Sequence, residues 1–176
     1  MTVNRVEQQA ESQLFKHGII GGIVAGIIFA MSEMLMNVIL GEPFLGPLRL
    51  ISSIVLGTEA LQPSYSIATA GLVGLVVHVI LSMIYGVIFV YVLKWTRQLH
   101  VSIGMLLLYG SLFGLLLWLV NFMVIAPAAF PQFTQVNQLW NGFVAHTFFY
   151  GTVLGAYVAN TLSQELPVET HRERPA

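Results

Sequence analysis

The hydrophobic positions of this chain gather into four long runs, roughly residues 18–40, 67–93, 101–126 and 139–162. Each exceeds the roughly 18–20 residues that a helix needs to cross a bilayer. Lipid offers no hydrogen bonds, so a crossing segment is a helix or part of a closed barrel. Barrel strands alternate in character over about ten residues. These runs do not alternate and therefore predict helices. The expected fold is an all-α membrane protein, a four-transmembrane-helix bundle. A polar segment, 1–17, precedes the 18–162 membrane domain, and a polar tail, 163–176, follows it. Neither is expected to carry a site. The first run stays apolar beyond the core of a cleavable signal, so it is expected to remain as a span.

The connection 41–66 is too short to span twice and too apolar for a free loop. Pro47 can open a helix there and Gly57 can close it. Leu48, Ile51, Ile54 and Val55 would share one face, with Arg49, Ser52 and Ser53 on the other. The pattern predicts an amphipathic helix over 47–56 that lies in the interface or dips back over the bundle as a lid. The second long connection, 126–138, carries Pro127, Phe130, Pro131 and Phe133 and would form the other half of that roof.

Two internal echoes suggest tandem helical hairpins. The second run contains Gly74-Leu-Val-Val-His78 and the fourth Gly142-Phe-Val-Ala-His146, both G-x-V-x-H. The first contains Gly22-x3-Gly26-x6-Glu33 and the third Gly110-x3-Gly114-x6-Asn121. The offsets are 88 residues in the first helices and 68 in the second, so copy one would hold a 20-residue insertion in its 41–66 loop. Small-residue stripes at Gly18/Gly22/Gly26/Ala30, Gly110/Gly114 and Gly151/Gly155/Ala159 would let helix backbones approach closely, within the bundle or against a membrane partner or second copy.

Composition agrees with a membrane location. Of 176 residues, 56% are hydrophobic and 9% charged, where soluble domains hold about 25% charged residues. That excludes an ordinary soluble enzyme, a disordered chain and a nucleic-acid binder. There is no cysteine, so disulfides and thiolate metal sites are excluded. The chain has no Asp, which removes a Ser-His-Asp set, and no phosphate loop is present; the balance leans away from an enzyme. Lys and Arg are placed unevenly. Arg5, Lys16, Lys94, Arg97, Arg172 and Arg174 fall on one side of the runs, and Arg49 alone on the other. The positive-inside rule then predicts both termini in the cytoplasm, with 41–66 and 126–138 outside. His17, His100 and His171 would be surface residues of the cytoplasmic side. Met31, Met34, Met36 and Met83 are expected to pack rather than to bind copper.

The chemistry concentrates in one slab. Glu33 is the only charged residue within the four runs. At about 1.5 Å per residue, Glu33, His78, Asn121 and His146 all fall within roughly 7–17 Å of the outer surface. They share helix faces with Asn37, Ser82, Tyr85, Trp118 and Tyr150. Polar faces avoid lipid, so these are expected to point at one another, with His78 and His146 opposed across the bundle axis. Three chemistries suit that set. His78 and His146 could bind haem b axially. Glu33, His78 and His146 could bind a divalent metal. Glu33 and the histidines could relay protons in a transporter or coupling subunit. The plain alternative is that the cluster only ties helices together, as in an accessory subunit of a larger membrane complex. Arg49 would pair with Glu33 or a bound anion if the insertion covers the site.

The run Gly41-Glu-Pro-Phe, Pro47-Leu-Arg-Leu-Ile and Ile-Val-Leu-Gly57, followed by Val76-Val-His78 and Tyr85-Gly86, resembles a group of uncharacterised bacterial four-span integral membrane proteins. The resemblance covers roughly residues 18–160. It implies a multi-pass location in a bacterial cytoplasmic (inner) membrane and brings no activity with it.

Overall fold

A computed structural model describes residues 2–134 and 136–161. The expected tail, with His171, Arg172 and Arg174, lies outside the described residues, as does Leu162 at the predicted end of the fourth run. Among the described residues there are helices and turns and no strands.

Four helices are long and apolar enough to cross a membrane, and the chain has the build of a multi-pass membrane protein. The first span belongs to one uninterrupted helix, Thr2–Ile39, so the polar segment expected ahead of it is its helical continuation. The second span is Ile67–Trp95. Ser66 caps its start, the hydroxyl oxygen accepting from the Thr69 N–H at 3.3 Å. The third span is Ile103–Ala129, started in the same way by Ser102, which accepts from Met105 N–H at 3.4 Å. The fourth runs through Val136–Val144, Ala145–Thr152 and Val153–Asn160. Two stretches, Leu119–Ile125 and Ala145–Thr152, are wound as π-helix. That winding accommodates an extra residue per turn and is frequent at functional sites.

The spans pair as one with two and three with four, and the first also lies along the fourth. The second and third meet sparsely, through Phe89 on Phe113 (ring centroids 5.1 Å) and a Tyr85–Asn121 hydrogen bond. The small-residue stripes face one another inside these pairs. A side chain at Gly22 would run into the Ser82 carbonyl, and one at Gly86 into the Gly18 carbonyl. Likewise Gly110 faces the Gly151 carbonyl and Gly155 the Leu106 carbonyl. The stripes therefore pack against one another within the chain. Outward faces carry Ile27, Leu72, Ile84, Leu112 and Leu116, exposed apolar side chains suited to lipid tails.

The insertion folds as the short helix Gly46–Leu56, one residue from its predicted start. Its burial differs from the expected pattern. Ser52 and Ser53, expected opposite the apolar face, are buried, while Val55 of that apolar face is 65% exposed. The two hydroxyls donate to the carbonyls of Arg49 and Leu50 at 2.7 and 2.6 Å. With their polarity satisfied inside their own helix, they can be buried at little cost. The Leu48 carbonyl then lies directly against Gly74 of the second span.

At the opposite end His17 is buried rather than on the surface. Its Nδ1 lies 2.9 Å from the Tyr157 hydroxyl of the fourth span. Lys94 pairs there with Glu11, joining the ends of the first hairpin.

Candidate functional site

At the end that carries the insertion helix, the four spans line a cavity of about 280 Å³. Its floor comes from the spans: Phe29 and Glu33 from the first, His78, Leu81, Ser82 and Tyr85 from the second. Leu117, Asn121 and Phe122 line it from the third span, and Gly142, His146 and Tyr150 from the fourth. Its roof is Pro47, Leu50, Ile51 and Ile54 of the insertion helix on one side and Phe130 and Phe133 of the 130–134 turn on the other. Gln132 donates to the Ser53 hydroxyl at 2.9 Å and clasps the two halves together. The expected two-part roof is thus present.

The structure brings Glu33, His78, Asn121, His146, Ser82 and Tyr150 to this one cavity. Two other predicted members stand elsewhere. Asn37 donates to the Pro43 carbonyl at 3.2 Å and packs under Gly46, so it shapes the turn into the insertion helix. Arg49 does not meet Glu33. Its guanidinium donates to the carbonyls of Ala60 (2.7 Å), Tyr65 (3.3 Å) and Gln62. Five donors in a fixed fork suit a cluster of loop carbonyls, and here they hold the chain between the insertion helix and the second span.

Both histidines lie against one ring of the first span. Phe29 contacts both rings, stacked on His78 (5.3 Å, 29°) and edge-on to His146 (4.8 Å, 85°). His78 donates from Nε2 to the Gly26 carbonyl at 2.8 Å, a bond between the first and second spans. His146 donates from Nδ1 to Gly142, one turn back in its own helix, at 2.8 Å. A carbonyl can only accept, so each of these nitrogens carries the hydrogen; a neutral ring then keeps its other nitrogen as an acceptor. Tyr150 donates to the Ser82 carbonyl at 2.7 Å and Tyr85 to Asn121 Oδ1 at 3.2 Å. Glu33 makes no hydrogen bond or ion pair with any described residue.

This geometry does not fit the expected haem or metal. Among the described residues no group of three or more His, Cys, Asp or Glu side chains is placed to hold a metal ion. Axial ligation needs both imidazoles turned to one iron, yet the His78 Nε2 is given to Gly26 and the Phe29 ring meets both histidines. Among the described residues no Lys or Arg lines the cavity to meet a propionate.

Phe29 is the central residue that the polar pattern did not single out. Its place one helical turn before Glu33 was the available signal. Phe122 is the second. It follows Asn121, and its ring lies where any side chain at position 142 would sit, which is why glycine stands there. Both π-wound stretches supply the cavity, Asn121 and Phe122 from one and His146 and Tyr150 from the other. Compared with known proteins, the chain matches no family model, no curated protein and no solved structure.

Proposed function

We propose that this multi-pass membrane protein binds a small, largely apolar molecule in the roofed cavity, with Glu33, His78, Asn121 and His146 as its polar contacts. The observation that carries the reading is the cavity itself: about 280 Å³ lined by all four spans and two roof segments, apolar but for a few converging polar groups. Small-molecule sites have this character, and the volume is near the lower end of their usual range of about 300–1,000 Å³. Packing alone gives no reason to leave such a space, because protein interiors are close-packed. The roof rests on one side-chain clasp, Gln132–Ser53, and is the natural way in.

The test is binding of 4-phenyl-1-butanol to the purified full chain in a neutral detergent, followed by thermal unfolding. A ligand of the folded state raises the midpoint in a saturable manner. Ile54→Trp, which fills the cavity from the roof, is expected to remove the saturable rise while far-UV circular dichroism stays unchanged. A wild-type protein without a saturable rise overturns the reading.

The orientation belongs to the same proposal. The Lys and Arg distribution supports a bacterial inner membrane protein with the roof outside and the 96–102 turn in the cytoplasm. A reporter active only in the cytoplasm should work when inserted at His100 and fail at Thr58; activity at Thr58 reverses the orientation. We also read the two hairpins as copies of one unit. The matched glycine contacts support this: their partners are 88 residues apart in the first helices and 69 in the second.

A further inference from the structure

We infer that the cavity selects a lipophilic amine: an apolar, preferably aromatic body carrying one ammonium head that is received by Glu33. This deepens the binding reading above and rests on it. The donors on the wall are largely engaged. Tyr150 gives its hydrogen to Ser82, Tyr85 to Asn121, and His78 to Gly26. What remains of the donors is uncharged, the Asn121 amide nitrogen and the Ser82 hydroxyl. The free groups are mostly acceptors: both oxygens of Glu33 and, in the neutral ring, Nε2 of His146. An anionic head would find no Lys or Arg among the described residues lining the cavity, because Arg49 is held by the carbonyls of Ala60, Gln62 and Tyr65.

An amine answers this vacancy on two counts. It supplies the hydrogens that Glu33 lacks, and the amine–carboxyl pair is neutral as a whole wherever the proton sits, so it suits an apolar wall. Aromatic rings line the same cavity, Tyr85 and Phe122 among them, and suit an aromatic body. The cavity's size limits the ligand to something smaller than a typical drug.

The experiment compares three probes with one skeleton and different heads: 4-phenylbutylamine, 4-phenyl-1-butanol and 4-phenylbutyrate. Each is titrated into the purified full chain in neutral detergent at one pH, with Ile54→Trp as the baseline for partition into micelles. The amine should bind about tenfold to a hundredfold tighter than the alcohol, the range of a hydrogen bond to a charged group, and the carboxylate should bind weakest. Glu33→Gln, nearly the same shape, should bring the amine to within about twofold of the alcohol while leaving alcohol binding intact. An alcohol that binds the wild type as tightly as the amine overturns the inference and leaves the binding reading standing. An amine advantage that survives Glu33→Gln also overturns it. If no probe binds the wild type, the binding reading fails and this inference with it.

Discussion

The hairpin of spans one and two and the hairpin of spans three and four close on the same device, yet only part of each is built alike. In both, glycines bring two helix backbones into contact: Gly22 with Ser82 and Gly86 with Gly18 in the first, Gly110 with Gly151 and Gly155 with Leu106 in the second. Towards the roof the register changes. His78 and His146 are 68 residues apart, but the glycine partners below them are 69 apart. The one extra residue is taken up where the fourth span is π-wound, at Ala145–Thr152. The consequence is local and chemical. In the first hairpin His78 reaches across to the partner span at Gly26, whereas His146 turns back to Gly142 of its own helix. Tyr150 is then placed to reach the Ser82 carbonyl of the other hairpin. The first hairpin instead carries the 41–66 insertion, which roofs the cavity that the second opens. The regular halves hold the bundle together, and the departures from regularity make the site.

The largest effect should come from the shared device. Gly22→Ala and Gly110→Ala each drive a methyl group into a facing carbonyl, of Ser82 and Gly151 respectively. Each should cost about 2–3 kcal/mol of stability in detergent unfolding. Gly104→Ala, with nothing within 4 Å, should be neutral or slightly stabilising. Costs that differ widely between Gly22 and Gly110 would break the equivalence of the hairpins.

Next is the π-wound stretch. Deleting Phe148, which is exposed, would leave Gly151 four residues after His146, as Ser82 is after His78. The bundle should persist, with the Tyr150–Ser82 bond lost at about 1–2 kcal/mol and 4-phenyl-1-butanol binding abolished. Retained binding would show that the extra residue is not what shapes the site.

A smaller difference separates the histidines. His78→Ala loses a bond between spans, and His146→Ala one within a helix. The first should be more destabilising by about 1 kcal/mol, measured by paired thermal unfolding. Equal costs would mean that the two rings hold the bundle in the same way despite their different partners. The smallest effect is expected at the clasp between the hairpins. Gln132→Ala should change stability by less than about 0.5 kcal/mol, as for a surface substitution, while speeding release of a bound probe. Unchanged release would remove the clasp from the path of entry.

Much of this molecule is determined locally. Runs of apolar residues longer than a bilayer is thick specify four helices whatever their neighbours do, because the backbone must hydrogen-bond to itself in lipid. Distance along a helix is proportional to residue count, so the common depth of Glu33, His78, Asn121 and His146 follows from position alone. Pro47 and Gly57 bracket the insertion helix close to where it forms. Partner choice is different in kind. A histidine three or four residues from a carbonyl in its own helix and near another in the next can take either, and helix rotation decides between them. So Gly26 for His78 and Gly142 for His146 emerge only when the spans pack. The same holds for Arg49, drawn to three loop carbonyls rather than to Glu33. It holds for Ser52 and Ser53, buried once their hydroxyls bond within the helix. Phe29 comes to lie against both histidines because the first span lies against both the second and the fourth. Residue type and spacing determined which groups reach the slab; the rotation and approach of the packed helices decided which of them bond to each other and which remain free for a ligand.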